Sequence, residues 1–320
     1  LKGINKMRLE EIGFYTLTDE RAKNVSVNSP LYRCELLITS RCNFDCVYCR
    51  KRTCPDITLK EAINIIKYWS KEGLKNIRFS GGEPTLHKNL SNMVRYAKSN
   101  NIQRIAISTN GSASLNLYDE LINSGVNDFS ISLDSCCSDV GNAISKSDKW
   151  QHTVDVIKYV SKKVYTTVGI VLFEKNIDEI EDLLKFASGL GVSDMRIITA
   201  AQWNKPLKLD IEIGNYPILK YRLNNIKNNR NVRGIGLNDN HKCPLVLDDM
   251  AVEGNYHYPC IIHLREGGNP IGKISENIRQ ERLNWYETHD CYNDPICKNN
   301  CLDVCVDYNN KVFELKESKI

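Results

Sequence analysis

Cys42, Cys46 and Cys49 occupy the run Arg41-Cys42-Asn43-Phe44-Asp45-Cys46-Val47-Tyr48-Cys49, with the spacing C-x3-C-x2-C. An apolar, strand-like segment, Cys34 to Ser40, comes directly before them. Three thiolates on one tight loop can hold three irons of a [4Fe-4S] cluster and leave the fourth iron open. An open iron binds something else, so the set reads as a reaction centre rather than an electron wire. A three-cysteine zinc loop and ordinary buried cysteines are the competing readings.

A second group follows one strand later, in Gly81-Gly82-Glu83-Pro84. Two glycines let a backbone turn and approach a ligand closely. Glu83 offers a carboxylate to a ligand ammonium, and Pro84 stiffens the exit. The next two strand ends carry small polar groups, Ser108 and Asn110, then Ser132 and Asp134. Such groups suit ribose hydroxyls, although they also cap helices. Gly169-Ile170-Val171 places a glycine inside a strand, which often marks the close approach of another group. Cys243, Cys260, Cys291, Cys297, Cys301 and Cys305 crowd the end of the chain, with His241, His257, His263 and His289 among them. Iron and zinc both fit such a set, because spacing alone does not choose between them.

Six strand-like segments must position these residues: Cys34–Ser40, Asn76–Ser80, Gln103–Thr109, Asn127–Leu133, Val164–Leu172 and Val192–Thr199. Several are apolar nearly throughout, as expected of strands buried on both faces. Helical patterns separate them. Thr58-Leu59-Lys60-Glu61 forms a capping box, and Gly73 offers a left-handed stop. Asn176-Ile177-Asp178-Glu179 opens another helix. Six β-then-α units require a mostly parallel sheet with right-handed crossovers. Six falls short of the eight that close a full barrel, so the expected fold is an α/β partial (β/α)6 TIM barrel. A doubly wound open sheet is the competing layout. Both put ligands at the carboxyl ends of the strands. The expected division is an N-terminal extension over 1–33, the barrel over 34–239 and a small cysteine-rich extension over 240–320, with a hairpin near Gly254.

The chain has 320 residues, 13 of them cysteine, and a net charge of +4. That charge is too mild to point to nucleic acid, and no apolar run approaches a bilayer's thickness. A polar start without a secretory pattern and tight cysteine clusters favour a cytoplasmic protein with reduced or metal-bound thiols.

The cysteine loop, with Tyr48 before its last cysteine, resembles the radical S-adenosylmethionine (SAM) superfamily. The resemblance covers roughly residues 34–200. It implies that Cys42, Cys46 and Cys49 hold a [4Fe-4S] cluster whose open iron chelates SAM. Reductive cleavage of SAM then yields a 5′-deoxyadenosyl radical that abstracts hydrogen. By the same resemblance, the Gly81–Pro84 turn faces the SAM amino group. Ser108, Asn110, Ser132 and Asp134 face its ribose or carboxylate, and Gly169 and Ile170 lie along adenine. The arginine that many relatives carry after the fourth strand is missing; Lys146 and Lys149 stand in that region. The terminal cysteines are similar to a twitch extension, which implies an auxiliary Fe–S cluster, with zinc as the alternative. A flavodoxin or ferredoxin is the implied electron donor.

The expected substrate is a small molecule. A peptide maturase and a non-catalytic metal-binding protein are the alternatives. Three stretches, Gly13 to Arg21, the Cys49-Arg50 join and Pro259 to Gly268, look like a subgroup of small radical SAM proteins with which the queuine lyases of queuosine salvage are grouped. That likeness implies a deazapurine base, cut to release 7-aminomethyl-7-deazaguanine.

Overall fold

In a computed structural model, residues 20–317 are described; most of the Gly13 to Arg21 stretch lies outside them. Among the described residues nine strands form one sheet: β1 (Arg33–Thr39), β2 (Asn76–Gly81), β3 (Arg104–Thr109), β4 (Asp128–Ser132), β5 (Tyr165–Leu172), β6 (Asp194–Thr199), β7 (Asp249–Glu253), β8 (Tyr256–Tyr258) and β9 (Gly272–Lys273). Their order is β6-β5-β4-β3-β2-β1-β7-β8-β9. Strands β1 to β6 are parallel in sequence order, which is the expected partial barrel.

Side chains alternate across a strand, and here the two rows differ in chemistry. One row, including Leu36, Ile38, Ile77, Phe79, Ile105, Ile107, Phe129, Ile131, Val168, Ile170 and Ile197, joins a single apolar core. The helices Leu59–Lys71, Leu90–Ser99, Leu115–Ser124, Trp150–Val160 and Ile180–Gly189 add their apolar stripes to that same core. Covering one face of the sheet in this way excludes the doubly wound layout. The other row is polar: Glu35, Arg78, Arg104, Asp128, Ser130, Thr167 and Asp194 are all buried there. The strands are therefore buried on both faces, but they are not apolar on both. Arg104 pairs with Asp128 at the base of this polar face. Burial first, then the neighbouring Arg104, pulls the Arg78 guanidinium down to about 9, so it stays charged at neutral pH.

Local signals behave as their chemistry requires. Thr58 and Glu61 exchange both capping-box bonds, and Gly73 has φ +93°. Asn176 does not cap a helix with its side chain. It bonds instead to the Phe173 N–H and to the carbonyls of Asp134 and Val171, fastening the exits of β4 and β5.

The cysteine-rich segment joins the same sheet. β7 runs parallel to β1, and Gly254 (φ +58°) turns the chain into antiparallel β8. Arg282 secures this addition from inside. Its guanidinium is buried and donates to the carbonyls of Val246 (2.7 Å), Tyr258 (3.1 Å) and Pro259 (3.2 Å), and to that of Asp249. Among the described residues no helix is long and apolar enough to cross a membrane.

Removing those donors strands buried carbonyls. Arg282→Ala is expected to destabilise the chain by about 3–5 kcal/mol, read as a lower denaturant midpoint at an unchanged slope. A shift no larger than that of an exposed Arg95→Ala control would contradict this role.

Candidate active site

The cysteine loop leaves β1 at Thr39 and is held from several sides. The Gly82 N–H bonds to the Thr39 carbonyl and the Glu83 N–H to the Arg41 carbonyl, each at 2.8 Å. A Cβ on Gly81 would fall 2.2 Å from the Thr39 oxygen, and one on Gly82 would fall 2.3 Å from the Arg41 oxygen. The close approach these glycines permit is thus to the root of the cysteine loop. From the β4 side, the Asp45 and Val47 N–H groups bond to the carbonyls of Ser145 and Ile144, both at 3.0 Å. Lys146 and Lys51 bracket the Asp45 carboxylate. Lys146 therefore serves the loop itself, and Lys149 sits beside Asp148.

Two carboxylates lock this arrangement, one fully buried and the other partly covered. Glu83 is fully buried. Its Oε1 accepts from the Thr85 N–H (3.0 Å), the Thr85 hydroxyl (2.6 Å) and the Thr109 hydroxyl (2.8 Å), and its Oε2 from the Asn110 N–H (2.7 Å). Burial still pushes its carboxyl up, so desolvation outweighs four donors. In this arrangement the carboxylate ties β2 to β3. Asp134 plays the matching part on β4. It accepts from the Tyr48 hydroxyl at 2.5 Å and the Val171 N–H at 2.8 Å, and burial pushes it up to about 6. Tyr48 packs edge-on against Phe173, with centroids 5.5 Å apart. These contacts make Asp134 an anchor for the cysteine loop.

The other expected positions separate. The Asn110 amide donates to Asn43 at 2.9 Å and lies 3.9 Å from the Cys42 sulfur. Ser132 is exposed at the end of β4. Ser108 accepts from Arg78 at 3.0 Å, deeper in the barrel. Gly169 lies on the polar face, 3.5 Å from the Arg196 guanidinium measured from a built Cβ. Ile170 points its side chain the other way, into the helix-covered core, and leaves only its main chain toward the polar face. Pro84 is buried at the start of a 3-10 turn.

The three thiols lie within electrostatic reach of one another. Cys42 and Cys49 are exposed and Cys46 is partly covered. Burial first, then Asp134 and the other two cysteines, pushes the Cys46 thiol up to about 12. Crowded thiols of this kind are suited to sharing a metal cation's charge.

All six terminal cysteines gather as well. Cys291 contacts both Cys243 and Cys297, Cys301 contacts Cys305, and Cys260 lies within electrostatic reach of Cys243, Cys297 and Cys305. His289, Cys291 and Cys297 offer ligand atoms within 4.8 Å of one another, and so do His263, Asp294 and Cys297. His257 is excluded: it is buried between Glu281 (2.8 Å) and Arg282 (3.2 Å). His241 stacks on Tyr292. Cys34 is a core residue. Cys136 and Cys137 sit beside Glu179.

The sequence pattern described as the Radical SAM superfamily matches residues 36–187. A probable GTP 3′,8-cyclase of Methanocaldococcus jannaschii is 29% identical over 161 residues, which is 48% of this chain and 54% of that protein. The chain thus matches about half the length of this curated relative. In fold, native anSMEcpe with bound AdoMet superposes with a TM-score of 0.60 at 14% identity, covering 90% of this chain and 98% of that one. Streptococcus suis SuiB bound to precursor peptide SuiA gives 0.59 at 15% identity, covering 90% and 69%. At such identities the structural likeness speaks for the fold. Pattern, fold and thiol loop agree: residues 36–187 of this chain are a radical SAM domain.

Proposed function

We propose that this chain is a radical SAM enzyme acting on a small, guanine-type base on the polar face of the open barrel. The observation that carries the reading is the three-thiol loop locked above a polar face lined by Ser80, Ser108 and Ser130. Cys42, Cys46 and Cys49 would hold the [4Fe-4S] cluster. Bound cluster and SAM supply a 5′-deoxyadenosyl radical that abstracts hydrogen from a C–H bond. The chain's own residues keep the geometry: Gly81 and Gly82 seat the loop, and Glu83 and Asp134 fix its flanks. Asn110 and Ser132 are the polar side chains left for SAM at the rim.

The best specific substrate is queuine, converted to 7-aminomethyl-7-deazaguanine. The likeness of Pro259 to Gly268 to small radical SAM proteins supports it. The curated relatives are named for GTP instead, which favours a nucleotide cyclisation as the second reading. Both substrates contain the same pyrimidinone edge. The peptide reading loses ground, because its support is a fold shared at 15% identity.

Anaerobic reconstitution should load about four irons on the loop. With dithionite and SAM the protein should then form 5′-deoxyadenosine, and Cys46→Ala should form none. Product formation by that variant would sink the assignment.

At the terminal set, a joint Cys243→Ala and Cys260→Ala exchange should lower iron by about four per chain if an auxiliary cluster sits there. Loss of zinc instead would identify a zinc site, and unchanged metal content would reject both.

Incubation with SAM and either queuine or GTP, read by mass spectrometry, separates the substrates. A mass matching 7-aminomethyl-7-deazaguanine is the expected result, and its absence in a preparation that consumes GTP would transfer the assignment.

A further inference from the structure

The polar face carries a repeated arrangement. Register places Ser80 opposite Leu37 and Ser108 opposite Ser130, so three serines from adjacent strands share one tier. Each hydroxyl meets one arginine: Arg265 to Ser80 at 3.0 Å, Arg78 to Ser108 at 3.0 Å and Arg196 to Ser130 at 3.3 Å. The serine side chains at this level are small, and Gly169, one tier on, has none.

Glu35 stands beside the tier on β1, two residues before Leu37. Its Oε2 is 3.2 Å from Arg33. Its Oε1 faces Arg265 at 4.0 Å, beyond hydrogen-bond reach. A carboxylate acceptor and a guanidinium donor therefore lie side by side without satisfying each other. Arg265 is 42% exposed, so its remaining donors are accessible to a ligand.

A guanine-type ring presents the complementary edge: a carbonyl acceptor next to a ring N–H and an exocyclic amino group. Enzymes acting on bases commonly read this edge through hydrogen bonds.

We propose that Glu35 and Arg265 read the pyrimidinone edge of a guanine-type base, Glu35 accepting from the ring N–H and amino group while Arg265 donates to the carbonyl. This rests on the base-directed reading above and names the residues that select the base. Glu35 and Arg265 are binding residues here; the hydrogen abstraction falls elsewhere on the substrate.

The test uses the reconstituted full chain with SAM and measures binding of 7-deazaguanine, 7-deazahypoxanthine and 7-deazaadenine by calorimetry. 7-Deazaguanine should bind at least about tenfold more tightly than 7-deazahypoxanthine, and more tightly still than 7-deazaadenine, whose edge is reversed. Glu35→Gln should lose most of the first preference, and Arg265→Lys should weaken every carbonyl-bearing base. Iron content and thermal melting verify that both variants fold. Wild-type selectivity in both variants would overturn the assignment while leaving a base substrate standing. Binding of inorganic phosphate with no base binding would overturn it too, and would make the arginine tier an anion site. No binding of any base by a preparation that still forms 5′-deoxyadenosine would remove the base reading itself. Parallel titrations with queuine and GTP identify which carrier of the shared edge is preferred.

Discussion

The site depends on one contact, the meeting of the Gly81-Gly82 backbone with the Thr39 to Arg41 backbone. Any side chain there would collide with carbonyl oxygens that the surrounding sheet holds in place. The loop that carries the cysteines is thereby fixed to β2 by main chain, before side chains contribute. Glu83 extends the lock to β3 through Thr109 and Asn110. Its burial costs more than its four donors return to the charged form, as the raised carboxyl records. That cost is spent on geometry: an anionic plug under the loop keeps three strand ends in register.

Much of this was readable from the residues. The six barrel strands fall within two residues of the apolar segments, and the cysteine loop and the glycine turn adjoin as their spacing implies. What escaped was pairing across long sequence distances. Nothing in Asp249–Glu253 announces that it will pair with β1, because a parallel partner leaves no local mark. Nothing local shows that Asp134 bonds to Tyr48. Ile170 follows Gly169 in sequence, yet period-two alternation sends it to the opposite face. The apolar bias of strands also hid their polar rows, since Arg78, Arg104 and Arg196 sit between strong β-formers.

Those polar rows distinguish the barrel from a closed one. A closed eight-stranded barrel fills its interior with branched apolar side chains. Here the interior holds guanidiniums, carboxylates and serines, which gain little from packing with one another and much from a hydrogen-bonding guest. Burying charge without full pairing is expensive, so these groups add little net stability.

The terminal segment closes the argument, because it touches both centres. Arg50 pairs with Glu266 at 3.0 Å, and Arg52 grips the Glu253 carboxylate and the Leu264 carbonyl, so the residues just past Cys49 hold this segment directly. Cys260 opens the short helix Ile261–Arg265, its sulfur accepting from the His263 N–H at 3.4 Å. Arg265 ends that helix and reaches Ser80. A single helical turn thus connects a terminal cysteine to the tier of serines on the polar face. Metal at the terminal set would fix the start of that turn, and the position of Arg265 would follow from it. In this arrangement the second cysteine set supports the helical turn that carries Arg265 to the serine tier.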